Sequence, residues 1–181
     1  MISCARNYIT RVIVPAINTP RRTDQRRGSR LDELELELDA WRGFLRTHAV
    51  VSRELDAELI ADHGLSLSSY EVLLFLAGSP TGEMRMTELA QSVLLSRSGL
   101  TRLVDRLERR GLVRRESCPG DARGLNAVIT DAGRDRFAEA RPTHLDGVRR
   151  RFLDRLSDDE KRDLGALWRR LGGDGTESPT C

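Results

Sequence analysis

The sequence predicts a mainly α-helical fold with one small β-hairpin, and three observations predict it. Apolar residues recur at three- and four-residue steps through most of residues 31–172, the period of helices that bury one stripe. Two short helical signals, TELAQSVL and SRSGLTRLVDRLERR, stand side by side, and a glycine follows the second. Strand-like stretches occur only at 112–117 and 125–129, on either side of CPGDARG, whose proline and glycines mark a hairpin tip longer than a tight two-residue turn. At 181 residues the chain is long enough for one well-buried domain with tails and too short for two large ones.

Each element has its own signal. Leu34, Leu38, Trp41, Leu45 and His48, continued by Val51, Leu55 and Leu59, argue for one long helix ending near Gly64. Ser68 with Glu71 three residues on reads as a capping box, opening a helix through Tyr70, Leu73, Leu74 and Ala77 that GSPTGE breaks. Thr87 and Glu88, a cap and a first-turn acid, start the short helix, and Leu95 and Ser96 form a turn. The next helix runs from Ser96 or Ser98 to Arg110, and Gly111 stops it. After the hairpin, Thr130 and Asp131 cap a long helix with Phe137, Leu145, Val148, Phe152 and Leu156 as its apolar residues. Ser157 with Glu160 is a second capping box, before a last helix carrying Leu164, Leu167, Trp168 and Leu171. Residues 1–30, arginine-rich with Asp24 as their single acid, read as a flexible basic tail, and 173–181 as a frayed end.

Composition narrows function mainly by exclusion. Thirty basic against 28 acidic residues leave a net charge of +2, so only the distribution of charge informs. The stretch LDELELELD is acidic, while residues 85–123 carry Arg85, Arg97, Arg102, Arg106, Arg109, Arg110, Arg114, Arg115 and Arg123. Cys4, Cys118 and Cys181 form no disulfide framework or zinc knuckle, which fits a reducing cytoplasm. No run approaches the roughly 18 apolar residues of a membrane helix. His48, His63 and His144 stand apart in sequence, so no metal site is expected, and no cofactor motif occurs. There is no nucleophile elbow, phosphate-binding glycine loop or HExxH motif, and an enzyme is not expected.

On a helical wheel at about 100° per residue, Leu100, Leu103, Val104 and Leu107 share one narrow sector. Opposite stand Ser98, Arg102, Asp105 and Arg109, flanked by Thr101 and Arg106. Alone, such a face is equally a solvated surface whose charges pair at i, i+3 and i+4. Its neighbourhood decides: a short helix, a turn, this helix and a basic hairpin describe a winged helix-turn-helix domain, over about 66–130. There the second helix enters the major groove N-terminus first, bringing Ser98, Thr101 and Arg102 to the bases, while its free N–H groups favour phosphate near Ser96 and Ser98. The candidate DNA-facing set is Ser96, Arg97, Ser98, Thr101, Arg102, Asp105 and Arg106, with Arg114, Arg115, Asp121 and Arg123 on the hairpin. Arg114 and Arg115 point to opposite faces of their strand, so at most one faces phosphate and the other packs or pairs with acids.

TELAQSVLLSRSGLTRLVDRLERRGLVRR, followed by DARGLNAVITDAG, resembles the MarR-type (multiple antibiotic resistance regulator) transcriptional regulators over about residues 31–172. The resemblance implies a homodimer joined through the first and last helices, about 31–63 and 131–172, each subunit presenting one winged helix to half of a pseudo-palindrome in double-stranded DNA. It implies a cytoplasmic regulator, more often a repressor. Leu34, Leu38, Leu164, Leu167, Trp168 and Leu171 are the candidate dimerisation residues, although their stripes would equally serve a monomer's own core. Two departures stand out: where the family commonly has two arginines after the wing aspartate, this chain has Ala122 and Arg123, and Cys118 occupies a position that is often acidic. Relatives often release DNA when a small aromatic or phenolic effector enters the crevice beside the dimer helices; Trp41, Phe44, Leu45, His48, Tyr70 and Leu74 are candidates for lining it. The alternatives are a winged-helix protein-interaction module without DNA binding, and a regulator sensing oxidants through cysteine.

Overall fold

The first helix, α1, spans Gln25–His63, beginning ahead of the periodic leucines. The computed structural model describes residues 25–118 and 121–172, with side chains described over 32–117 and 124–172. Of the expected tail at 1–30, residues 25–30 belong to α1 instead, while 1–24 and 173–181 lie outside the described residues, as do Cys4 and Cys181 and the side chains of Cys118, Asp121 and Arg123. The chain divides into two units after Gly43. In the first, the described side chains lie on α1, and Leu34, Leu36, Leu38 and Trp41 are exposed.

In the second unit, α1 ends where Gly64 turns left-handed at φ +62°, with Gly64 N–H bonded to Ile60 O at 2.9 Å and Leu65 N–H to Leu59 O at 3.2 Å. Helix α2 spans Leu67–Gly78. Its cap is Ser66, not Ser68: the Ser66 hydroxyl accepts from Ser69 N at 3.2 Å, and Asp56 of α1 accepts from Leu67 N at 2.8 Å. The sequence offers several serines for one capping role, and the carboxylate arriving from α1 decides between them. Glu71, freed from capping, is half-buried, and burial raises its carboxyl pKa.

A strand that the sequence reading lacks, β1 (Glu83–Arg85), starts on the last residue of the supposed breaker and runs on past it. Three residues are too few to show an alternating pattern. Helix α3 spans Met86–Ser92 and starts directly from β1; Arg85 caps it with no side-chain bond, so Thr87 sits inside the first turn and not at the cap. Helix α4 spans Arg97–Arg109, capped by Ser96, whose hydroxyl accepts from Gly99 N at 3.1 Å. Gly111, at φ +70°, reverses the chain into β2 (Val113–Cys118). Strand β3 (Asp121–Ile129) is longer than its sequence signal and pairs on both sides, giving an antiparallel sheet of order β1-β3-β2 with an irregularity between Ser117 and Cys118.

Helix α5 spans Asp131–Arg151. The Thr130 hydroxyl caps it, accepting from Gly133 N at 3.0 Å while donating to Gly111 O at 2.7 Å. Gly133 lies so close to the Leu112 carbonyl that a Cβ there would collide with backbone. Helix α5 stops at Arg151, short of its expected apolar residues Phe152 and Leu156, and a 3-10 turn covers Leu153–Arg155. Helix α6 spans Asp158–Gly172 behind the Ser157–Glu160 capping box, with Ser157 N bonded to Glu160 Oε2 at 2.8 Å and Glu160 N to Ser157 Oγ at 3.3 Å. Ser157 N and the Ser157 hydroxyl, each donating to Glu160 Oε2 at 2.8 Å, hold the Glu160 carboxyl below its usual pKa.

One apolar core joins these pieces: Leu59 and Leu65, then Tyr70, Leu73 and Leu76 of α2, Leu89 of α3, Leu100, Leu103, Val104 and Leu107 of α4, and Val113, Ala127 and Ile129 of the sheet. Outside it, α5 is clasped to α1 by charge. Arg151 bonds Glu54 at 2.8 Å and Glu58 at 2.6 Å, and Arg150 reaches Glu58 at 3.0 Å. Hydrogen bonding from Arg151 is the largest cause that holds the Glu58 carboxyl below its usual pKa. A depressed folded-state pKa stabilises the fold above the unfolded value of 4.5, and that contribution is lost as pH falls through the folded value. Melting temperature should therefore decline as pH falls from about 5, and Glu58→Gln should lower it at pH 7 while flattening this decline. An unchanged pH profile in the variant would rule out the clasp as a source of acid sensitivity.

Candidate nucleic-acid interface

Helix α4 is amphipathic in the strict sense that its two sides do different chemistry. Leu100, Leu103, Val104 and Leu107 are buried, whereas Arg97, Ser98, Thr101, Arg102, Arg106 and Arg109 are exposed. Burying four aliphatic side chains at about 1.5–3 kcal/mol each fixes the helix's rotation about its axis and so the direction of the exposed row. Its N-terminal turn is set by Ser96, whose hydroxyl also lies 3.3 Å from that of Ser98. The Thr101 hydroxyl donates to Arg97 O at 2.9 Å and keeps its lone pairs available.

The arginines fall into two groups. Arg97, Arg102 and Arg106 form no ion pair among the described residues. Arg115 is the opposite case. It leaves β2 opposite the buried Ala127, and its guanidinium reaches Asp105 at 2.6 Å, Glu108 at 2.6 Å and Thr101 O at 3.1 Å. Glu108 Oε1 also accepts from Arg115 N at 3.1 Å. With its side chain only 19% exposed, Arg115 is a brace between the wing and α4. Asp105, which the wheel placed on the outer face, is half-buried as its partner. Arg114, on the other face of the strand, is exposed and pairs with Glu116 at 2.7 Å. Glu108 is absent from the sequence-derived set; its spacing of three from Asp105 is the signal that could have found it. Arg110 serves elsewhere, donating to Gly64 O at 2.8 Å.

Within the second unit, the residues proposed to line an effector crevice fall into two places, Phe44, Leu45 and His48 on α1 and Tyr70 and Leu74 on α2. Phe44 stacks near His48, with ring centroids 6.4 Å apart, and meets Trp168 of α6 at 5.6 Å. Tyr70 is sealed in the core, 4.4 Å from the His144 ring and 5.4 Å from Phe137. Burial lowers the His144 pKa, which favours neutral imidazole. Trp41 and Leu45 are exposed. Leu74 instead lines a cavity of about 500 Å³ between α2 and α5, with Phe137, Arg141, Pro142, Leu145 and Arg149. On α6, Leu164 and Leu167 are half-buried while Trp168 and Leu171 are exposed. Among the described residues no group of three or more His, Cys, Asp or Glu is placed to hold a metal ion, and no single helix is long and apolar enough to cross a membrane.

A short helix, a tight turn, a second helix with a cationic outer face and a braced hairpin define a winged helix-turn-helix protein. The family model described as MarR family matches residues 63–124, from the end of α1 to the wing. Sco3205 of Streptomyces coelicolor, a MarR family transcriptional regulator solved in complex with DNA, is 36% identical, with a TM-score of 0.70 over 77% of this chain and 93% of that one. The HTH-type transcriptional regulator YkoM of Bacillus subtilis strain 168 is 30% identical over 141 residues, covering 78% of this chain and 89% of that protein. The repressor YetL of the same organism is 30% identical over 115 residues, covering 61% of this chain and 68% of its own length. The chain belongs to the MarR family of transcriptional regulators, which are not enzymes.

The brace has a measurable consequence. Arg115→Ala removes a cation held by two carboxylates and leaves Asp105 and Glu108 facing one another. Charge-assisted bonds of this partly exposed kind put the expected loss at about 1–2 kcal/mol. Denaturant unfolding should show it, and Arg115→Lys should recover only part, because an ammonium cannot span both carboxylates in the guanidinium's fork. Wild-type stability in Arg115→Ala would remove the brace from this account.

Proposed function

We propose that this protein is a sequence-specific regulator of transcription that binds a pseudo-palindromic site in double-stranded DNA as a homodimer. The observation that carries the reading is the row of guanidiniums without an ion pair among the described residues, Arg97, Arg102 and Arg106, beside the hydroxyls of Ser98 and Thr101 on the exposed face of α4. Guanidiniums and hydroxyls are the groups that read base edges in the major groove, Arg most often through bidentate bonds to guanine. The DNA complex of Sco3205 supports the reading by likeness. Arg114 faces outward on the wing, and Asp121 and Arg123 belong to its tip. The exposed apolar residues Leu34 and Leu38 on α1, and Trp168 and Leu171 on α6, suit a second copy of the chain. Leu164 and Leu167, half-buried beneath the latter pair, complete that stripe. A dimer places two α4 helices about one or more turns of the duplex apart. Its action is repression, as the name of YetL suggests by analogy, and its compartment is the cytoplasm.

Arg102→Ala should weaken binding to a selected site by about 1–3 kcal/mol and relax preference at one base position. Wild-type affinity should fall with salt at a slope near −0.9 per phosphate contacted. Intact footprints and affinity in Arg102→Ala would show that another face reads the bases. A protein that retains no duplex at low salt would be an interaction module instead.

Effector release is the second part of the proposal. The α2–α5 cavity joins the apolar walls of Leu74, Phe137 and Leu145 to the guanidinium of Arg141, while Asp146, also in the lining, pairs with Arg149 at 3.3 Å; such a lining suits a small phenol, or an aromatic acid held by Arg141. Aromatic acids should raise the melting temperature of the wild type and weaken its hold on DNA, and Leu74→Trp, which fills the cavity, should abolish both effects. Equal shifts in the two proteins would move the effector elsewhere.

A further inference from the structure

Leu94 is the single described non-glycine residue with a left-handed backbone, at φ +52°; the other such positions, Gly64, Gly82 and Gly111, are all glycine. A side chain there crowds its own backbone, so stability favours glycine or asparagine. Burial gives no compensation, because Leu94 is 92% exposed, the most exposed large apolar side chain described. The conformation is nonetheless enforced. Leu94 N bonds to Gln91 O at 3.2 Å, Leu95 N bonds to Ala90 O at 2.9 Å, and buried Val93 and half-buried Leu95 fix the chain on either side. Leu94 stands two residues before Ser96, at the entrance to the turn of α4 that presents Arg97 and Ser98.

An apolar side chain held in a strained backbone, in water, beside a DNA-reading helix, points to a contact made only in the complex. We propose that Leu94 is a specificity-determining residue that packs on the 5-methyl group of a thymine in each half-site. The proposal rests on the DNA-binding reading above. Thymine's methyl is the apolar mark that the major groove displays, and among the exposed residues of the first turns of α4 only the small methyl of Thr101 could also meet it. Leu94 therefore supplies recognition of thymine that the guanidiniums and hydroxyls lack.

The test uses the full chain and a duplex that it selects from a random pool. Leu94→Gly should melt no lower than the wild type, yet bind the duplex about tenfold more weakly, the loss expected for part of a buried leucine. Leu94→Asn, which tolerates the left-handed backbone, should behave alike, and Leu94→Met should keep most of the affinity. Replacing thymines one at a time by uracil should reveal a position where losing the methyl weakens the wild type about three- to fivefold and leaves Leu94→Gly unaffected. If the wild type binds the duplex and Leu94→Gly binds it equally well, or if every uracil substitution affects the two proteins alike, the inference is overturned while the DNA-binding reading stands. If the wild type binds no duplex, that reading fails and takes this inference with it.

Discussion

The apolar underside of α4 is the constraint from which the rest of the interface follows. Leu100, Leu103, Val104 and Leu107 are all sealed into a core shared with α2, α3 and the sheet. Close-packed interiors allow little rotation, so a helix seated on four such residues has its outer face aimed before any ligand arrives. The cations of that face need not be held by salt bridges to be oriented. They are exposed to solvent, which suits groups whose proposed partner is a polyanion.

Arginines of similar sequence context thus divide by place. Arg115, under the wing and partly desolvated, is surrounded by carboxylates and a carbonyl, because a charge removed from water must be matched. Arg151 follows the same rule at the α1–α5 clasp. Arg97, Arg102 and Arg106, in water, need no such matching. The brace and the exposed cationic row are two outcomes of one desolvation argument.

Much of this was legible in the sequence. The boundaries of α4, the cap at Thr130, the box at Ser157 and the glycine stops all follow from short-range backbone chemistry, and the buried face of α4 from periodicity alone. What failed was settled at long range. Ser66 takes the cap in place of Ser68 because Asp56, eleven residues before Leu67, supplies the neighbouring acceptor. Strand β1 exists because β3 has a second edge to pair, which three residues cannot announce. Periodicity places Arg115 on one face of a strand, yet only the fold brings that face over Asp105 and Glu108. Tyr70, an aromatic on a helix, read more readily as core than as a crevice lining, and its full burial against His144 puts it in the core.

The hydroxyl of Thr130 joins two elements at a single atom, holding Gly111 O on one side and the start of α5 on the other. With Gly133 pressed against the Leu112 carbonyl, no slack remains at that junction. Helix α5, 21 residues and so about 30 Å long, is then a lever joined at its root to the winged helix, with Pro142 inside it as the point where it can bend. A sideways push of 1 Å at its far end corresponds to a swing of about 2° over that length.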